Sequence, residues 1–438
     1  MLFGTQKIDS KGHLNIGGCD AIELAERFGT PLYVMDEALV RQNCRDYLNA
    51  FKSRYQESVI AFAGKAFLTT AMCRIAQQEG MSLDVASAGE IYTALKAGFP
   101  MERLYFHGNN KSGAELRMAL DNGVGRIVVD NMQELELLNS MADRKADILL
   151  RLTPGIDPHT HRLIRTGQAD TKFGLNIKDG SAMSAVRRAL ECPGITLRGI
   201  HCHVGSQLLD TEAHEAAVRI MVEFARQVLD ETGVTLEEIN TGGGLGIRYV
   251  EGQQPPTIDQ FAETITSAFI SALKEFDLTH QPKLIQEPGR SIVGAAGTTL
   301  YTVGTIKKVL ITEEPGYRVY VAVDGGMSDN PRPLLYDAVY EALVANRANV
   351  AASQVVTISG KHCETDTLIL DAKIAEVEPG DILAVQCTGA YNFSMASNYN
   401  RVTRPAVVLV ADGKADIIVE RENLDDLVRH DVIPNKLD

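Results

Sequence analysis

Chemistry-bearing side chains recur where short apolar runs of this chain stop. The run 59–63 leads into Gly64 and Lys65, and the run 83–86 carries Asp84. The run 104–106 stops at His107, the run 127–129 at Asp130, and the run 148–152 carries Arg151. The run 197–204 holds His201 and His203 and leads to Gly205 and Ser206. The run 238–241 enters Gly242-Gly243-Gly244, and 284–287 ends on Glu287 before Pro288-Gly289-Arg290. A lysine in such a place is ordinarily a surface residue capping the next helix. Desolvated, it loses its proton more readily and its free amine can condense with an aldehyde. A triple-glycine turn is often only a tight turn. Its exposed N–H groups, with Arg290 closing over them and Ser206 adding a hydroxyl, could instead hold a phosphate. Glu287 needs a cationic partner if buried, either in a structural salt bridge or as the ring N–H of a cofactor. His201 and His203 share one side of their strand and could bind a metal. The last two strands add only Thr241, the glycines and Glu287, so a metal ranks low, and one histidine reads as a flat ring packing on a flat cofactor.

These groups need a scaffold that gathers them. Between the eight runs lie helix-like stretches at 68–78, 88–97, 112–121, 132–142, 181–190, 213–229 and 258–276. Strand–helix alternation repeated eight times predicts a parallel (β/α)8 barrel, whose chemistry sits at the C-terminal ends of the strands. An open doubly wound sheet is the competing architecture, and no Gly-x-Gly-x-x-Gly follows the first strand to favour it. Beyond about residue 289 the strand-like runs (302–310, 317–323, 355–359, 382–386, 406–410 and 416–419) follow one another directly. Turn signals at Pro379-Gly380-Asp381 and Asp412-Gly413 separate some of them, which predicts a mainly β domain, a Greek-key barrel or sandwich. The expected division is residues 1–30 joining the β domain, 31–290 as the barrel and 291–438 as the β domain. The stretch 155–174 is long for a barrel connection and reads as a cover for the site.

The 438 residues carry 43 Lys+Arg against 57 Asp+Glu, a net charge of −14. That balance argues against sequence-independent nucleic-acid binding. At 45% hydrophobic the chain can bury a large core. It has no apolar run long enough for a transmembrane helix and no signal-peptide pattern at its start, so no membrane association is expected. Seven scattered cysteines without a Cys-x-x-Cys make neither a disulfide framework nor a zinc finger. A reducing cytoplasm is the expected compartment, where one thiol could be free for chemistry.

An amine for an imine, an acid for a ring nitrogen and an anion-binding turn together describe pyridoxal 5′-phosphate. The motifs Ala63-Gly64-Lys65-Ala66-Phe67, Leu83-Asp84-Val85-Ala86-Ser87, His201-Cys202-His203-Val204-Gly205-Ser206, Gly242-Gly243-Gly244-Leu245-Gly246 and Glu287-Pro288-Gly289-Arg290 occur in order. The chain thereby resembles the barrel-type, alanine-racemase-like (fold III) pyridoxal-phosphate decarboxylases, most of all their diaminopimelate-specific branch. The resemblance implies decarboxylation of meso-2,6-diaminopimelate to L-lysine in a homodimer. It implies that Lys65 holds the cofactor, His203 stacks on its ring and Glu287 pairs with its nitrogen. Asp84 and Arg151 would lie near the imine and ring hydroxyl. Ser206, the turn Gly242-Gly243-Gly244, Gly289, Arg290 and Tyr391 would serve the phosphate, and Arg290 could also meet a substrate carboxylate. Arg332 and Tyr336, in Pro331-Arg332-Pro333-Leu334-Leu335-Tyr336, resemble the segment that holds a substrate carboxylate, with Tyr391 nearby. Lys361-His362-Cys363-Glu364-Thr365 resembles a segment that enters the partner subunit's site, with Cys363 as proton donor and Glu364 as the group for the distal ammonium. The family often places an aspartate four residues after that cysteine. Here Thr367 stands there and Asp366 comes one earlier, which puts a dimer contact through that acid in doubt. Fold relatives acting on ornithine, arginine or carboxynorspermidine are the nearest alternatives. A racemase is disfavoured by Glu287, and a non-catalytic regulatory partner by the retention of Lys65 and Cys363.

Overall fold

The structure, a computed structural model, describes residues 1–141, 145–156, 171–311 and 316–437. The stretch expected as a cover thus lies largely outside the described residues. By contacts the chain divides into two units.

One unit, residues 41–248 and 253–292, is the barrel. Its strands are β1 (Ser58–Ala63), β2 (Ser82–Val85), β3 (Leu104–Phe106), β4 (Arg126–Val129), β5 (Ala146–Thr153), β6 (Ile195–His201), β7 (Glu238–Asn240) and β8 (Lys283–Gln286). Each pairs in parallel with the next, and β8 pairs back onto β1, closing the sheet. A parallel sheet covered on both faces selects continuous apolar strands rather than alternating ones, as in Ile127-Val128-Val129. Ala61, Tyr105, Val128, Leu149 and Ile285, from five different strands, form one buried cluster. Capping residues fix the loops that leave the strand ends. The Thr69 and Ser87 side chains accept from the third residue of the following helix, and Ser112 and Thr257 form reciprocal capping boxes with Glu115 and Gln260.

The other unit comprises residues 1–40, 249–252 and 293–438 and is mainly β. Its N-terminal part runs ten residues beyond the expected boundary at 30. The cause is the strand Leu32–Asp36, which pairs antiparallel with Gly297–Leu310 and parallel with Ala406–Ala411. The sheet order is Thr367–Ile374, Gln354–Ser359, Tyr317–Val323, Gly297–Leu310, Leu32–Asp36, Ala406–Ala411 and Lys414–Val419. Leu14, Ile16, Leu24, Leu32, Val34, Leu300, Ala384 and Val408 contribute to its core. Among the described residues no helix is long and apolar enough to cross a membrane.

Candidate active site

Lys65 sits in a single helical turn, Gly64–Ala66, immediately after β1. Its side chain is exposed while Gly64 and Ala66 are buried. The end of β1 is tied to the segment after β8, because the Ala63 N–H donates to the Pro288 carbonyl at 2.9 Å. Gly289 permits this approach: a Cβ there would lie 3.0 Å from the Ala63 Cβ and 3.1 Å from that of Ala66. Lys65 and Glu287 are therefore delivered by neighbouring strands.

Glu287 is buried and its oxygens are held from three sides. The Asn240 amide donates at 2.6 Å, His107 Nε2 lies at 2.9 Å and His201 Nε2 at 3.1 Å. The two imidazoles pack edge to face, with centroids 4.8 Å apart. Burial alone would raise the carboxyl pKa. His107 and His201 outweigh it and hold Glu287 well below the ordinary glutamate value, so it is ionised. Burial lowers the His201 pKa to about 4, so that ring is neutral. Its Nδ1 has no hydrogen-bond partner among the described residues, which fits the tautomer that donates Nε2–H to Glu287. The carboxylate is thus held by hydrogen bonds from Asn240 and His201, with His107 Nε2 in close electrostatic contact.

Asp84, on β2, is buried 3.6 Å from His107 Nε2. Burial raises its pKa; His107 opposes this, Glu287 adds to it and Lys65 opposes it. Arg151 at the end of β5 is also buried. Its Nε is 3.8 Å from Asp130, and its guanidinium lies 4.2 Å from the centre of the Phe173 ring. His203 stands two residues beyond β6, and burial followed by the Lys65 and Arg151 cations pushes its pKa well below the usual histidine value. A neutral ring in that place can stack.

The glycine turn packs more closely than any side chain would allow. A Cβ at Gly242 would lie 2.6 Å from the Cys202 carbonyl oxygen, at Gly243 2.0 Å from that of Glu287, and at Gly244 2.5 Å from that of Gly205. Gly242 also has φ +73°. Two of the turn's N–H groups have protein acceptors: Gly242 donates to Asn240 Oδ1 at 2.9 Å and Gly243 to His203 Nδ1 at 3.3 Å. The glycines therefore bring the ends of β6, β7 and β8 together and orient His203. Beside them Arg290 Nη2 donates to Ser206 Oγ at 2.9 Å, joining the two polar groups expected at an anion.

The remaining expected residues belong to the β unit. Arg332 opens the short helix Arg332–Tyr336 and is buried. It donates to the hydroxyls of Tyr249 at 3.0 Å and Tyr340 at 3.3 Å. The Tyr391 and Tyr336 rings lie 5.7 and 5.9 Å from its guanidinium. Its Nε has no hydrogen-bond partner among the described residues. Tyr391 has φ +66°. Cys363 and Glu364 are exposed, and Glu364 accepts a hydrogen bond from Tyr399.

The description "pyridoxal-dependent decarboxylase, pyridoxal binding domain" belongs to the family whose model matches residues 38–294. The chain is a member of the pyridoxal-dependent decarboxylase family. Diaminopimelate decarboxylase of Bacillus subtilis is 48% identical over 441 residues, covering 98% of each chain. That of Bacillus methanolicus is 48% identical, covering 96% of this chain and 97% of its own. A crystal structure of diaminopimelate decarboxylase from M. jannaschii in complex with L-lysine superposes with a TM-score of 0.91 at 37% identity, covering 100% of both chains. The family match takes in all eight strands and every strand-end group described above. Two strand-end residues to which the sequence assigned no role also lie within it. His107 and Asn240 stand at strand ends, and that position was their only signal; their grip on Glu287 is visible only in three dimensions.

Proposed function

We propose that this chain binds pyridoxal 5′-phosphate and, as a homodimer in the cytoplasm, decarboxylates meso-2,6-diaminopimelate to L-lysine and CO2. The observation that carries the reading is a buried Glu287, gripped by Asn240, His107 and His201, directly after the strand beside the one that leads into Lys65. The residues fit the cofactor: an exposed amine for its aldehyde, an anion for its ring nitrogen, a neutral imidazole for its face and an arginine–serine pair for its phosphate. When bound, pyridoxal phosphate supplies a sink for the electron pair left when a carboxylate departs.

Lys65 would hold the cofactor through its amine. Glu287 would keep a proton on the ring nitrogen, with Asn240, His107 and His201 holding the carboxylate in place for that task. His203 would cover the ring, and Asp84 and Arg151 would lie near its imine and ring hydroxyl. Ser206, Gly289, Arg290 and the turn Gly242-Gly243-Gly244, two of whose N–H groups are already engaged within the protein, would hold the phosphate, with Tyr391 in support. Arg332, whose described partners are tyrosine hydroxyls, binds a substrate carboxylate with Tyr336 and Tyr391 beside it. Arg290 is a second cation for such a group. At the reacting centre the bond between the α-carbon and its carboxylate breaks and CO2 leaves. The α-carbon then takes a proton from the Cys363 thiol of the second subunit, whose Glu364 receives the distal ammonium.

Arg332 also separates this reading from one in which the substrate is ornithine. A buried guanidinium with an unpartnered Nε suits a substrate with a second carboxylate, which ornithine lacks. Purified holoenzyme supplied with meso-diaminopimelate is expected to release CO2 and L-lysine in equal amounts, at a kcat/KM at least about 100-fold above that for ornithine. Faster turnover of ornithine, without lysine formation from diaminopimelate, would overturn the assignment.

A further inference from the structure

The exposed segment Cys363-Glu364-Thr365 is bracketed by two buried polar residues, His362 and Asp366. Both are fastened to other parts of the β unit. Asp366 Oδ1 accepts from the Met327 N–H at 2.7 Å, and Oδ2 accepts from the His362 N–H at 3.2 Å. Its carbonyl accepts from the Gly360 N–H at 2.7 Å, closing the loop at its base. The carboxylate occupies a cradle that only glycine leaves open. A Cβ at Gly326 or at Gly360 would lie 2.1 Å from Asp366 Oδ2. The His362 ring bridges Ser328 Oγ at 2.9 Å through Nε2 and Asn400 Oδ1 at 2.9 Å through Nδ1. Asn400 and Arg401 both adopt positive φ, +52° and +57°, a conformation that needs outside support in non-glycine residues. The neighbouring Tyr399 hydroxyl donates to Glu364.

Thus three backbone segments, around 326–328, 360–366 and 398–401, are knotted at the two posts while the residues between stand out from them. Of the seven cysteines, Cys363 is the exposed one, with Cys19 half-buried and the others buried. Asp366 stands one position earlier than the aspartate the family often shows, and it turns inward to its own chain.

We propose that Asp366 and His362 are positioning residues that set the direction of the Cys363 thiol and the Glu364 carboxylate. Asp366 fixes the base of the loop through two backbone N–H groups, and His362 fixes its flank against Asn400, next to the tyrosine that holds Glu364. The inference rests on the reading of Cys363 as proton donor.

The test is a double-mutant cycle on the holoenzyme, with diaminopimelate turnover and cofactor absorbance read together. Asp366→Asn keeps shape but offers one acceptor where the carboxylate offers two, and is expected to lower kcat at least about tenfold, as displacement of a reacting group does, with the absorbance unchanged. In a Cys363→Ala background the same substitution should cost nothing further, because its effect runs through the thiol. His362→Leu should follow Asp366→Asn, and His362→Gln, which keeps a donor and an acceptor, should recover part of the loss. The His362 pair supplies the same cycle if Asp366→Asn does not fold. Wild-type kcat in Asp366→Asn, or a loss that persists undiminished without Cys363, would overturn the inference. Full activity of Cys363→Ala alone would instead overturn the proton-donor assignment beneath it.

Discussion

Glu287 and Cys363 are delivered in opposite ways. Glu287 follows a barrel strand directly, is buried, and is gripped by Asn240, His107 and His201 from three other strand ends. Cys363 lies on an exposed loop whose order comes from the buried posts on either side. A carboxylate that must stay charged at low dielectric needs donors around it before any ligand arrives, and converging strands supply them. On the proposed reading, in which the thiol serves another subunit, it must project, so its precision has to come from the anchoring of the loop behind it. Hydrogen-bonded anchoring lies at the strand ends of the barrel and at the base of the loop in the β unit.

Breaking the grip at the barrel should have the larger effect. Glu287→Gln keeps shape and burial but removes the anion. It should lower kcat by at least about 100-fold, the scale seen when one preorganised electrostatic partner is lost. Cofactor absorbance and kcat measured on the same preparation check this. A variant within a few-fold of wild type would show that Glu287 is a structural acid and that the contrast with the loop is false.

The smallest effect belongs to the support behind the loop. Glu422 accepts from Asn398 at 2.6 Å and pairs with Arg404 beside the 399–401 segment. Burial would raise its pKa, but Arg404 and Asn398 outweigh this and lower it to about 2. A depressed carboxyl pKa stabilises the fold above the ordinary glutamate value, and that contribution fades as pH falls from about 4.5 toward 2. The pair is near the surface, so screening limits it to about 1 kcal/mol or less. Glu422→Gln should lower the melting temperature slightly at neutral pH, with the difference vanishing in acid. A difference that grows as the pH falls would contradict the sign.

Much of this was legible in the chain itself. Most of the barrel strands announce themselves as short apolar runs, because parallel strands covered on both faces have little polar side to show, with Glu238-Ile239-Asn240 as the exception. Lys65, Asp84, Arg151 and Glu287 were readable for the same reason, as charges interrupting or ending such runs. The strand Leu32–Asp36 was not, because a fully buried strand reads alike whichever sheet it joins. Its partners, Gly297–Leu310 and Ala406–Ala411, lie hundreds of residues away in sequence. The roles of His107 and Asn240 depend on ångström-scale geometry across strands, which no spacing encodes. The glycine turn could be recognised, but not the fact that Asn240 and His203 take two of its N–H groups. Asp366 looked like a displaced family residue, and only its glycine cradle gives it a function within its own chain.

On the proposed reading the amine after β1 carries the cofactor. Borohydride reduction of the holoenzyme, followed by proteolysis and peptide mass spectrometry, tests it most directly. A reduced pyridoxal phosphate adduct is expected on the peptide containing Lys65, and none on a Lys65→Ala protein that remains folded. An adduct on a different lysine of the wild-type enzyme, or visible absorbance of bound cofactor surviving unchanged in Lys65→Ala, would contradict it.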